Sequence, residues 1–200
     1  MANAKTKAET QPPRDGRRAR TEASRKRIVE AMLALAREGQ PDPSADLVAE
    51  RAGVGRRTVF RLFQDMDSLY RELHAAMEQR IEHIRAIPVD GATWRERLEK
   101  LIERRVKLFE EILPIKMAGD VHRHRSQFLQ ESHNEVQKTL RVMLRFVLPK
   151  TIDGDQFEAI DAALSIDVWE RLRTDQKLST KAAQRVLTQM ATALVEDVKA

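Results

Sequence analysis

The sequence predicts an all-α protein of about nine helices, with a three-helix N-terminal head built around a helix-turn-helix and a larger helical C-terminal domain. Only 4% of residues are aromatic while 34% are charged, a balance that suits solvated helix faces better than the aromatic, β-branched faces of a sandwich. Apolar residues recur every three or four positions along most of the chain. The stretch Ser44–Leu69, SADLVAERAGVGRRTVFRLFQDMDSL, reads as two short helices around a tight turn.

Residues 1–23 are rich in Ala, Lys, Thr and Pro and lack apolar periodicity, so they are expected to form a disordered arm. Residues 1–29 hold nine Lys or Arg against three acids, a net of +6 in a chain whose formal charge is +5. Positive charge is therefore concentrated beside the predicted helix-turn-helix, as phosphate binding requires. Arg17, Arg18 and Arg20 in this arm suit a minor groove, and equally a solvated tail that aids solubility.

The first helix is expected to start at Ser24 as N-cap and to place Ile28, Ala31, Met32 and Leu35 on one face before Gly39. Two prolines and an Asp make 40–43 a turn. Ser44 then caps the second helix, where its hydroxyl and the first amides can meet a phosphate. Leu47, Val48, Ala49 and Ala52 share a side of that helix, and Gly53 supplies the left-handed residue that ends it. The third helix, Arg56 to Leu62, turns Val59, Leu62 and Phe63 inward. Arg57, Phe60 and Arg61 are left on the outer face, with Arg56 near its start. Arginines that can fork onto guanine O6 and N7, presented on a short helix, suit a major groove.

A fourth helix is expected from Asp67 through Leu69, Leu73, Met77, Ile81 and Ile84 until Pro88. At 1.5 Å per residue it makes a rod of roughly 30 Å linking head to body. The body opens with Trp94, Leu98, Leu101, Val106 and Phe109 on a helix expected to stop before Pro114. A short segment follows near 115–124, and then a long helix from Phe128 to Leu148. Two last helices run through Phe157–Leu172 and Ala182–Val198, each apolar over more than one face. The predicted division is thus an arm at 1–23, a helix-turn-helix domain at 24–70 and a helical domain at 71–200.

Ala49–Val54 (A-x-x-A-G-V), Thr58–Phe63 (T-V-F-x-x-F), Leu69-Tyr70 and, near the end, Trp169–Ser179 resemble the TetR family of bacterial transcriptional regulators. The resemblance implies a homodimeric, sequence-specific DNA-binding regulator, most often a repressor released from a palindromic operator by a small molecule. It puts the base-reading positions on Arg56 and Arg57, with Thr58 and Phe60 beside them, Phe60 standing where a Tyr is usual. It also implies an apolar or amphipathic effector among the middle helices, with Trp94, Phe109, Met117, Phe128, Met143 and Phe146 as candidate lining, though residues at this spacing equally suit plain core, and dimerisation through the last two helices, whose alternative is an intrachain core pair. There Phe157, Ile160, Leu164, Val168, Val186, Met190 and Leu194 are the expected interface. Three positions depart from the family pattern. Pro43 stands where a Thr is usual, Leu62 replaces a His or Tyr, and Met66 replaces a Lys, the last two removing potential phosphate contacts.

Other function classes find little support. There is no cysteine. His122, His124 and His133, near Asp120 and Glu131, lack metal-ligand spacing and are interleaved with arginines, so no metal is expected and a polar face or pocket rim is. No nucleophile elbow or Gly-rich phosphate loop occurs, so neither an enzyme nor a cofactor is expected. No apolar run approaches the roughly 20 residues of a membrane span, and the expected location is the cytoplasm. Two alternatives remain open at this level: a nonspecific architectural DNA binder, and a helical small-molecule-binding or protein-interaction module with a vestigial helix-turn-helix.

Overall fold

A computed structural model describes residues 14–198. The helices are α1 (Arg14–Arg37), α2 (Ala45–Ala52), α3 (Arg56–Leu62), α4 (Met66–Arg85), α5 (Trp94–His122), α6 (Gln127–Val147), α7 (Gly154–Ala163), α8 (Ile166–Glu170) and α9 (Thr180–Leu194). A 3₁₀ turn at Arg123–Arg125 joins α5 to α6, and a π turn at Arg171–Asp175 extends α8. No strand occurs among the described residues.

The helix-turn-helix forms by the expected local rules. Ser44 Oγ accepts from the Leu47 amide, and Gly53 ends α2 at φ +62 with its amide donating to the Ala49 and Glu50 carbonyls. Gly55 opens α3 in an extended conformation. Val59, Leu62 and Phe63 are buried, together with Val48, Ala49 and Ala52 of α2. This small core continues into Leu69, Tyr70, Leu73 and Met77 of α4 and into Ile28 and Leu35 of α1.

Four expectations about the elements are corrected. First, α1 does not start at Ser24: it is already helical at Arg14, so Arg17, Arg18 and Arg20 ride on a helix instead of a disordered arm. The segment Arg14–Ala23 holds four Arg and two Ala, which favour helix, and its side chains bond back along it: Arg20 Nε donates to the Gly16 carbonyl and Thr21 Oγ1 to that of Arg17. Ser24 Oγ donates back to the Arg20 carbonyl, which is a mid-helix role. The part of the arm at 1–13 lies outside the described residues. Second, α4 is capped by Asp65, whose Oδ1 accepts from the Ser68 amide at 2.6 Å; Asp67 instead accepts from Ser126 Oγ at 2.6 Å.

Third, α5 does not stop before Pro114 but runs through it to His122. Its flanks hold it there, because Leu113 and Ala118 are both buried and Ile112 packs against both cores; tertiary burial outweighs the proline's local cost. Fourth, Phe157–Leu172 is two helices with a corner at Leu164–Ser165. Ser165 Oγ accepts from the Val168 amide, and the Arg105 guanidinium, 2% exposed, donates to the carbonyls of Leu164 at 2.9 Å and Leu140 at 2.5 Å. Burial pushes Arg105 down to about 10, so it stays charged at neutral pH and complements the carbonyl end of α7.

A second, larger core joins α5, α6, α7, α8 and α9 around Phe109, Leu144, Ile160, Leu164, Trp169 and Leu187. Three residues expected at a dimer interface, Phe157, Ile160 and Leu164, are at most 3% exposed inside this core. They serve the chain's own packing because α7 lies against α9 and α6. Val168, Val186 and Leu194 are half-buried at its edge, and Met190 is exposed.

Candidate nucleic-acid interface and ligand cavity

The outer face of α3 presents Arg56, Arg57, Phe60 and Arg61, all exposed, with Thr58 half-buried beside them. Phe60 is 54% exposed, unusual for an aromatic ring on a small domain. The Arg56 guanidinium lies 5.6 Å from its ring centre and 3.2 Å from Asp46 on α2. Arg57 and Arg61 make no ion pair among the described residues. Ser44, at the start of α2, uses one oxygen lone pair on its own helix, leaving its hydroxyl proton to donate. Arg17, Arg18 and Arg20 are exposed on the leading turns of α1.

A residue not singled out from the sequence holds this head together. Arg25 of α1 donates to the Leu62 carbonyl at the end of α3 at 2.8 Å, pairs with Glu72 of α4, and lies 5.0 Å from the Phe63 ring centre. One guanidinium thus ties three helices behind the exposed face. Leu62 itself is 6% exposed, so its side chain belongs to the core. Met66, 45% exposed on the first turn of α4, does sit on the surface.

Between α4, α5 and α6 lies a cavity of about 140 Å³. Its apolar wall comes from Leu73, Met77 and Ile81 on α4, Ile112 on α5, and Phe128 and Val136 on α6. Of the six residues expected to line a pocket, the structure places only Phe128 there. Phe109 and Trp94 are buried in the larger core, Met117 and Met143 pack against that core, and Phe146 is 77% exposed on the far face of α6. The signal that finds the true lining is the inward stripe of α4 joined to an α5 that continues past Pro114. Ile112, Ile115, Lys116 and Gly119 then share one face at helical spacing.

Charged and polar groups close one end of the cavity. Lys116 Nζ meets Asp120 at 2.7 Å, Asp167 at 3.0 Å and Glu170 at 2.6 Å. Burial opposes its charge, but the three carboxylates outweigh burial and raise its pKa above the ordinary lysine value. Arg123 Nη1 lies 3.4 Å from Asp120 and 2.6 Å from Nδ1 of His133. Burial and the Arg123 charge hold His133 below the ordinary histidine value. His122 pairs with Asp42 at 3.0 Å and His124 is exposed, so the three histidines do not converge. No group of three or more His, Asp or Glu is arranged to hold a metal among the described residues.

The same end of the cavity is fastened to the head. Tyr70 of α4 lines the cavity, donates to the Ala118 carbonyl of α5 at 3.2 Å, and sits 5.9 Å from the His122 ring. Asp42, the partner of His122, belongs to the loop between α1 and α2. Ser126, which opens α6, bonds Asp67 in the first turn of α4. No helix among the described residues is long and apolar enough to cross a membrane.

No protein-family model matches the sequence, and no curated protein matches it. Solved structures do match the fold. A transcriptional regulator from a Rhodococcus species superposes with TM-score 0.67 at 18% identity, covering 88% of this chain and 100% of the other. A protein described as a TetR-family transcriptional regulator from Mesorhizobium loti gives 0.59 at 15%, covering 88% and 97%. A TetR transcriptional regulator from Rhodococcus gives 0.53 at 16%, covering 91% and 100%. The chain has the fold of the TetR-family transcriptional regulators.

Proposed function

We propose that this chain is a cytoplasmic, non-enzymatic regulator of transcription, acting as a homodimeric repressor that a small molecule releases from a palindromic operator. The observation that carries the reading is the double role of α4. Leu69 and Tyr70 in its first turns belong to the same buried cluster as Val59 and Leu62 of α3, while Leu73, Met77 and Ile81 on the same helix form a wall of the cavity. A ligand seated there presses on the rod that sets the reading helix. In a two-fold dimer, a shift of α4 changes the separation of two reading helices, which must match half-sites spaced by about one or two DNA turns of roughly 34 Å each.

On this reading Arg57 reads bases, Arg56 joins it by exchanging Asp46 for DNA, and Phe60, Thr58 and Arg61 fit the adjacent groove surface. Ser44 and the helical arginines Arg17, Arg18 and Arg20 supply phosphate contacts. Val168, Val186, Met190 and Leu194 are the part of the expected interface still accessible for pairing two chains. The effector is apolar or amphipathic, as the cavity wall requires.

The test is selection from a random duplex library at fixed physiological salt, which should return a two-fold palindrome. Arg57→Ala should then cost roughly 1–3 kcal/mol on the selected site and relax its base preference, whereas Arg18→Ala should weaken all duplexes about equally. Equal losses for Arg57→Ala on selected and scrambled DNA would overturn the base-reading assignment.

A further inference from the structure

We propose that the cavity between α4, α5 and α6 takes a neutral, single-ring molecule carrying one carbonyl-type acceptor, received by Nε2–H of His133. The inference rests on the reading of that cavity as the effector site and adds the chemistry of the effector.

Size comes first. The cavity measures about 140 Å³, and apolar cavities of roughly 150 Å³ take up benzene. The occupant is therefore compact, built on a single ring, with an apolar body against Leu73, Met77, Ile112 and Phe128.

The polar end decides the rest. Lys116 has three protons and three carboxylate partners, at 2.6 to 3.0 Å, so it has none left for a ligand. Arg123 Nη1 is 2.6 Å from His133 Nδ1. A guanidinium only donates, so Nδ1 is the acceptor and the ring proton sits on Nε2. His133 lines the cavity, and what its ring can still offer an occupant is therefore a single uncharged donor. Ligand charge is selected against by the surroundings. Lys116 is already matched by Asp120, Asp167 and Glu170, and Arg123 lies beside Asp120, so an anion finds no unpaired cation there to offset its loss of water. At the other end Arg85 and Glu78 already neutralise one another.

Three probes of matched shape separate the alternatives: acetophenone (neutral, with a carbonyl), benzoate (anionic) and ethylbenzene (no acceptor). In calorimetry with the full chain, acetophenone should bind saturably, with ethylbenzene and benzoate each about tenfold weaker or more. His133→Phe should bring acetophenone down to the level of ethylbenzene. Ile112→Trp, or Val136→Trp should the first fail to fold, should abolish binding by filling the space. Benzoate binding as tightly as acetophenone, or ethylbenzene as tightly, overturns the proposed chemistry while binding that the filling substitutions remove keeps the cavity as an effector site. Acetophenone binding that survives both filling substitutions places it elsewhere and overturns the proposal. Absence of binding by all three overturns the proposal.

Discussion

Tyr70 is the single tyrosine of the chain and is 3% exposed. Burial, aided by the charge of Asp42, pushes its phenol up from 10 to about 12. The folded state therefore holds the proton after the unfolded chain has lost it. The stability this represents is intact below pH 10 and is lost as pH rises toward about 12, a slope worth about 2–3 kcal/mol across the window. Phenolate absorbance reads this group alone, and it should titrate near 12 in the folded protein and near 10 in denaturant. Tyr70→Phe should reduce the alkaline slope of stability by this share; a slope unchanged in that variant would assign it to other groups, Lys116 among them. The residue matters because its hydroxyl grips the Ala118 carbonyl while its ring lines the cavity, so one side chain touches both the head's helix and the body's.

Among the elements, the turn between α2 and α3 depends on one backbone conformation. At Gly53 φ is +62, and an added Cβ would meet nothing within 4 Å, so any cost of substitution is conformational and not steric packing. Gly53→Ala should destabilise by about 1–2 kcal/mol, and Gly53→Asn by less, since Asn visits this region more readily. Equal losses for the two in denaturant titrations would point to another cause. This turn was fully legible in the sequence because its signals are local: a cap at Ser44, a glycine at the helix end, and apolar residues at period 3.6. The α3 face was legible for the same reason. The start of α1 was not, because its helix-favouring Arg14–Ala23 segment lacks the apolar stripe that announces a packed helix. Nor was the passage of α5 through Pro114, since the restraint comes from Leu113 and Ala118 meeting residues far away in sequence. Misplacing that boundary also hid the cavity, whose lining joins α4 to the second half of α5. The corner at Leu164 was obscured likewise, because the group that satisfies it, Arg105, lies 59 residues earlier.

At the scale of the whole molecule, two cores meet along a seam. The smaller joins α1–α4, the larger α5–α9, and Leu108 and Ile112 of α5 pack against both. The cavity lies on that seam, with Leu73 and Met77 from one core facing Val136 and Ile166 at the edge of the other. Space left where two packed bodies adjoin weakens their union, and a ligand that fills it gains contacts to both. Operator affinity should accordingly depend on how firmly the body holds α4. Lys116→Met, which frees three partly exposed carboxylates at one end of the cavity, should destabilise by about 1–3 kcal/mol and should alter ligand-induced release of DNA while leaving the base preference of α3 unchanged. A changed base preference in that variant would contradict the separation of reading from sensing.

The placement of the two tryptophans has a practical corollary. Trp94 and Trp169 both lie in the larger core and neither in the smaller, so tryptophan emission watches only one of the two bodies, whereas far-ultraviolet circular dichroism weighs every helix. If the seam is the weak joint, the two signals should give separate denaturation midpoints for the unliganded protein, and acetophenone should draw them together. The molecule would then pass from two cooperative units to one, and loss of DNA affinity would be the outward sign of that fusion.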